Sequence, residues 1–266
     1  MEHITTLKMK LKPLGKGTLS GAQVFSWGPY MQGVLMRTID SRYADELHGM
    51  SFNPYSQYCY LDEGGTIIWR ISALTDQAAD QIITPLQKLD SFEIHSAGVS
   101  VETDRVETES IRLKQLTDLI TTDQGNKAFV QFVTPASFKC QGNYVNMPSV
   151  RLVLQNLLMH YSKTYEGRGE ADQETLDFIV DHTLITSYNL RSHYVPHVAG
   201  AGRKIPSFMG KMTFGVYGPP TMSGLVRMLL RFGEFSGVGI KTAMGMGGMR
   251  CAFSDKPTRP VEGQVA

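Results

Sequence analysis

Cysteine is scarce: Cys59, Cys140 and Cys251 are odd in number, far apart, and form no C-x-x-C pair. That spacing excludes a disulfide framework and a cysteine zinc site, and implies three reduced, structural thiols. Long apolar runs are missing as well. No stretch reaches the about 20 consecutive apolar residues that span a bilayer, and the opening MEHITTLKMK alternates polar and apolar residues where a secretory signal is continuously apolar. A cytoplasmic protein without membrane contact is expected. Net charge is only +1, which excludes a chain that is basic throughout. The last shortage is local. Between Leu190 and Arg250 the only acid is Glu234, against Arg191, Arg203, Lys204, Lys211, Arg227, Arg231, Lys241 and Arg250, with His193 and His197 beside them. With almost nothing to neutralise it, this segment points to a polyanionic ligand.

What is present is a globular composition, 42% hydrophobic and 19% charged, which excludes a disordered chain or a fibrous rod. Residues 5–12 alternate Leu7, Met9 and Leu11 with three lysines, the pattern of a strand with one buried face. A helix is expected from Pro29, with Met31, Leu35 and Ile39 on one face. A second, short helix pairs Tyr43 with Leu47 and stops at Gly49, whose freedom to take positive φ suits a helix end. His48 thus sits in a last helical turn. Residues 66–72 read as a strand, 75–83 as a helix ended near Pro85, and 92–106 as one or two strands.

A similar order then restarts. Residues 128–133 are a strand, and Pro148-Ser149 caps a helix in which Val150, Val153, Leu154, Leu157, Leu158 and Tyr161 keep a 3.6-residue rhythm. The polar segment 163–173 reads as an exposed insertion. Strands at 182–194 and 209–217, a helix from Pro219 to Gly233 with Arg227 and Arg231 four apart, and a strand at 249–253 complete the unit. The fold class is α+β, two split-βαβ units in tandem, divided as 1–124 and 125–254 with a tail at 255–266 containing Pro257 and Pro260.

The most distinctive stretch runs from Phe235 to Met249, with glycines at 237, 239, 245, 247 and 248 around Lys241. Glycines let a backbone approach a ligand, and free amides beside a lysine hold phosphate oxygens. Neither nucleotide motif fits. G-x-G-x-x-G needs glycine at Thr242, a Walker A loop needs glycine where Ile240 stands, and this loop follows a helix and precedes a strand. A polynucleotide backbone is the better ligand. His193 and His197 are spaced i, i+4, but Val195-Pro196 disfavours the helix a metal pair needs, so no metal and no cofactor is assigned.

Arg203-Lys-Ile-Pro-Ser-Phe-Met-Gly-Lys-Met-Thr-Phe, the helix after it, and Phe235 through Gly248 resemble the C-terminal half of the CRISPR repeat-processing endoribonucleases of the RAMP superfamily. Tyr43-Ala-Asp-Glu-Leu-His48 followed by Phe52-Asn-Pro-Tyr-Ser56 resembles that family's helix-end histidine and the aromatic-serine run after it, so the likeness covers most of the chain. It implies two ferredoxin-like, RRM-like domains and, as substrate, the repeat RNA of a CRISPR precursor transcript. Further partners it leaves open are other subunits of a CRISPR effector complex and a second copy of the chain. A non-catalytic crRNA-binding RAMP subunit is the alternative function; a small-molecule-binding ferredoxin-like regulator is disfavoured by the cationic segment.

The resemblance implies cleavage without metal, by attack of a ribose 2′-hydroxyl on the adjacent phosphate, leaving a 2′,3′-cyclic phosphate and a 5′-hydroxyl. Imidazole, with an ordinary pKa of about 6.5, suits the proton transfers. The carbonyl end of a helix and nearby RNA phosphates favour its charged form, which tips His48 toward general acid. Some relatives add a tyrosine in the preceding helix and a lysine just past the histidine. Here Met36 stands at the first position, and 49–56 holds no lysine. Tyr30, Arg37 and Tyr43 are the supporting catalytic candidates. Expected RNA contacts are Arg203, Lys204, Lys211, Arg231, Gly237, Gly239, Lys241, Gly245 and Gly247.

Overall fold

The computed structural model describes residues 2–14, 21–94, 98–122, 125–196 and 204–254. Arg203, His197 and the tail 255–266 lie outside the described residues. No helix among those described is long and apolar enough to cross a membrane.

The first half opens with β1 (His3–Leu14), whose Leu7, Met9 and Leu11 are buried while the intervening lysines face the other way. The helices α1 (Gly28–Thr38) and α2 (Ser41–His48) come next, followed by the hairpin of β2 (Tyr55–Leu61) and β3 (Ile67–Ala73). A helical run, α3, joins one turn at Asp76–Ala78, a π-helical stretch at Ala79–Ile83 and a closing turn at Thr84–Leu86. Strands β4 (Ser91–Ile94) and β5 (Val99–Arg112) complete an antiparallel sheet in the order β2-β3-β1-β5-β4. Trp27, Met31 and Leu35 bury against Trp69, Ile71 and Met9 in its core, each large side chain contributing about 1.5–3 kcal/mol.

The short α4 (Leu113–Thr117) leads into the second half. There β6 (Lys127–Ala136) is followed by a small hairpin, β7 (Phe138–Cys140) and β8 (Asn143–Val145), then α5 (Val150–Glu166) and α6 (Gln173–Asp181). Long strands β9 (Thr183–Pro196) and β10 (Lys204–Val216), α7 (Pro220–Ser236) and β11 (Met249–Phe253) close the sheet in the order β11-β6-β10-β9. In both sheets the first strand lies between the third and the last of the main strands, so the chain is two tandem ferredoxin-like domains. Ser149 caps α5 by accepting the Leu152 N–H at 3.2 Å, and Val153, Leu154 and Leu157 bury the expected face.

Three features depart from the sequence reading. Strand β2 was not foreseen, because Tyr55 to Cys59 are buried on both faces and show no alternation. The segment 163–173 is not one exposed insertion: α5 runs to Glu166, and α6 begins at Gln173 with Leu176 and Ile179 in the core. Gly49 ends α2 with φ −80, so the helix stops there without a left-handed residue.

Candidate active site

His48 is presented by α2. The Asp40 carboxylate starts this helix by accepting the N–H groups of Arg42 at 2.9 Å and Tyr43 at 3.3 Å. Tyr43, Ala44 and Leu47 anchor its inner face, which leaves His48 exposed at the carbonyl end. Among the described residues it has no hydrogen-bond or ionic partner, so the imidazole is free to meet a ligand.

It faces a cleft of roughly 800 Å³ between the two domains. The N-terminal wall carries Gln32 and Met36 of α1, His48, and the 50–53 segment. The opposite wall carries Lys139 and Cys140 of the β7–β8 hairpin, Gln155 and Asn156 of α5, and Gly239 through Met244. The 50–53 segment is held from the other domain. His160 of α5, 3% exposed, donates from Nε2 to the Asn53 main-chain oxygen at 3.1 Å, and its ring lies 4.9 Å from that of Phe52. Burial lowers the His160 pKa to about 4, against the smaller opposing effect of the Asn53 carbonyl, so this imidazole is neutral at pH 7.

The glycine-rich loop forms the far wall by packing on its own protein. The buried Gln57 amide donates to Gly28 O at 2.8 Å and Ala243 O at 3.0 Å, and accepts from the Trp69 indole at 3.0 Å, so one side chain ties the loop to the N-terminal core. Gly245 has φ +91, and a Cβ there would stand 2.5 Å from the Gly28 Cα; at Gly239, φ +85, it would stand 2.3 Å from the Ser137 oxygen. The Gly239 N–H donates to Asn156 Oδ1 at 2.7 Å. The close backbone approach expected of this loop is therefore made to Gly28, Ser137 and α5. Gly237, Gly245 and Gly247 are buried.

Of the sequence candidates, the cleft brings together His48, Gly239 and Lys241. Lys241 takes a left-handed conformation, φ 58, and its ammonium meets the Met244 sulfur at 3.5 Å. Tyr30, Arg37 and Tyr43 do not line the cleft. Tyr30 packs beside the N-terminal core, and Arg37 points along α1 to the Glu93 carbonyl at 3.4 Å. Tyr43 is buried with its hydroxyl pKa raised to about 12, chiefly by desolvation and then by Glu46. Lys204 and Lys211 are exposed on β10, away from the cleft. Arg231 is not a free cation: Glu234, the segment's single acid, binds it at 2.5 Å, and the Phe253 ring lies 5.3 Å away. Arg227 is buried with its guanidinium on the Gly125 and Thr122 carbonyls at 3.0 and 3.2 Å. His193 lies in a strand, edge-on to Phe25.

Sequence reasoning missed Lys139 and Asn156. Gln141-Gly142, both with positive φ, is a tight-turn signal that would have placed a hairpin there and Lys139 near its tip. Asn156 shows only as a polar residue within the apolar rhythm of α5.

Comparison with known proteins follows the same geometry. The family model for the CRISPR-associated endoribonuclease Cas6 matches residues 130–249. The Cas6 endoribonuclease of Streptococcus thermophilus is 35% identical over 82% of this chain and 88% of its own length. That of Mycobacterium tuberculosis strain CDC 1551 / Oshkosh is 34% identical over 94% of this chain and 78% of its own. A Cas6 product complex, 21% identical, superposes with a TM-score of 0.71 over 94% of this chain and 99% of that one, which establishes likeness of fold.

Proposed function

The chain belongs to the CRISPR-associated endoribonuclease Cas6 family, and we propose that it cuts the repeat RNA of CRISPR precursor transcripts by a metal-independent route. A ribose 2′-hydroxyl attacks the adjacent phosphate, and the products carry a 2′,3′-cyclic phosphate and a 5′-hydroxyl. The observation that carries this reading is the meeting of His48 and Lys241, from different domains, on one open cleft.

Each role follows from chemistry the cleft holds. The leaving 5′ oxygen must gain a proton, and His48 is the exposed imidazole on the cleft, in the last turn of α2. The phosphorane gains negative charge, and Lys241 and Lys139 supply cations from the facing wall. His160 is neutral and spends its Nε2 proton on the Asn53 carbonyl, so the proton donor is His48 and not His160. The glycines act one step removed, by letting the loop that carries Lys241 lie flat against Gly28.

Incubation with end-labelled repeat RNA in excess EDTA tests this. One discrete cut with a 2′,3′-cyclic phosphate end is expected; binding without any cut would leave an RNA-binding protein and overturn the reading.

A further inference from the structure

Helix α5 divides its side chains between core and cleft. Val153, Leu154 and Leu157 are buried in the core, while Leu152, Gln155, Asn156 and Met159, spaced i, i+3, i+4 and i+7, line the cleft that His48 faces. Two amides thus stand between two apolar side chains on one helical stripe. No aspartate or glutamate is found among the described residues that line this cleft.

The orientation of the Asn156 amide is settled by its partner. A main-chain N–H only donates, so the atom that meets the Gly239 N–H at 2.7 Å is Oδ1. The Nδ2 group is the end left over. Among the described residues it meets no acceptor, and it is not buried. Asn156 therefore brings to the cleft a donor that cannot change places with its acceptor. Gln155 differs: its amide has no partner among the described residues and can turn either end outward. Anchoring the loop uses Oδ1 alone, which leaves the other half of the Asn156 amide for a ligand.

A fixed donor sorts nucleobases by one group. Guanine O6 and uracil O4 accept a hydrogen bond, whereas adenine N6 and cytosine N4 donate and would meet Nδ2 donor to donor. Without a carboxylate in its lining, the cleft also lacks the strongest acceptor for an amino base. Leu152 and Met159 offer apolar surface to the face of a base, and a thioether is a favourable neighbour for an aromatic ring. The cleft volume of roughly 800 Å³ lies within the about 300–1,000 Å³ that buries a small ligand, so a nucleotide fits. We propose that Asn156 is a specificity-determining residue: its Nδ2 donates to the exocyclic carbonyl of a keto base, guanine or uracil, at a nucleotide adjoining the scissile phosphate. The proposal rests on the RNA-cleavage reading above and adds which bases that cleft accepts.

The test measures kcat/KM of the full chain on repeat RNAs that carry each base in turn at the nucleotides flanking the cut. At one of these positions guanine or uracil should be cut about fivefold to a hundredfold more efficiently than adenine or cytosine. Where guanine is the base, 2-aminopurine, which lacks O6, should be cut as slowly as adenine. Asn156→Asp keeps an acceptor for the Gly239 N–H and puts a second acceptor where the donor stood, so the keto preference should vanish or turn toward adenine and cytosine. The ratio between bases is the readout, because the added charge slows every substrate alike. Asn156→Ser, uncharged and too short to place a donor at the base, should lose the ratio as well. Wild-type protein without a keto preference at either flanking position overturns the assignment. Variants of unchanged melting temperature that keep the wild-type ratio overturn it too, and leave Asn156 as an anchor for the loop alone. Failure of the cleavage reading looks different: repeats that are bound and never cut, with affinities that still favour keto bases, remove the cleavage chemistry and leave the base contact standing.

Discussion

The imidazole of His160 and the main chain of Asn53 are joined across the two domains by one hydrogen bond of 3.1 Å, which fixes the segment that follows His48. The bond requires a proton on Nε2, and burial keeps the ring otherwise neutral. Because burial lowers the folded pKa to about 4, while an unfolded histidine titrates near about 6.5, the unfolded chain binds the extra proton between these values. Stability from this group is therefore complete above pH 6.5 and declines as pH falls toward 4, by about 3 kcal/mol. His160→Phe should flatten that limb of the stability profile while losing about 1–3 kcal/mol at pH 7. Urea titrations across the range decide it; an unchanged acid limb would mean that His160 is not the group responsible.

Gly245→Val should destabilise the fold, since φ +91 and 2.5 Å to the Gly28 Cα leave no room for a side chain. Backbone strain alone costs about 1–3 kcal/mol. Gly28→Ala, whose Cβ would stand 2.2 Å from the Met244 oxygen, should act alike. Thermal denaturation and RNA binding should fall together. Full stability with lost binding would show that these glycines face the RNA.

Lys241→Ala keeps an L residue at the left-handed position and removes the ammonium with its methylene stem. Repeat affinity should fall, and the slope of log affinity against log salt should shrink by about 0.7, the value for one single-strand phosphate. Wild-type affinity and slope would mean that the ammonium stays on the Met244 sulfur and takes no phosphate.

Patterns that live within one element were legible in the sequence. Alternation gave β1, the 3.6-residue rhythm gave α5 with its Ser149 cap, and the helix-end position of His48 followed from Tyr43, Leu47 and Gly49. The same pairing that gave α2 turns Tyr43 into the core, where it does not line the cleft. What stayed hidden is set by contacts between distant segments. The outer side of β2 is covered by the other domain, where Ser56 donates to the Phe235 carbonyl and Gly248 lies against Tyr58, so its polarity pattern is erased. The glycines at 239 and 245 announced close approach without saying to what, and their neighbours, Ser137 and Gly28, lie in other parts of the chain. The charge of Arg231 was misread because Glu234, only three residues on, is near enough to hold it.

Single-turnover cleavage of repeat RNA by His48→Ala, at saturating protein in EDTA, bears on the whole reading. Loss of the proton donor should slow the cut about a hundredfold to ten-thousandfold, with repeat affinity within a few-fold of wild type, because His48 is exposed and holds no other described residue in place. A rate within a few-fold of wild type would take His48 out of the mechanism and the cleft with it.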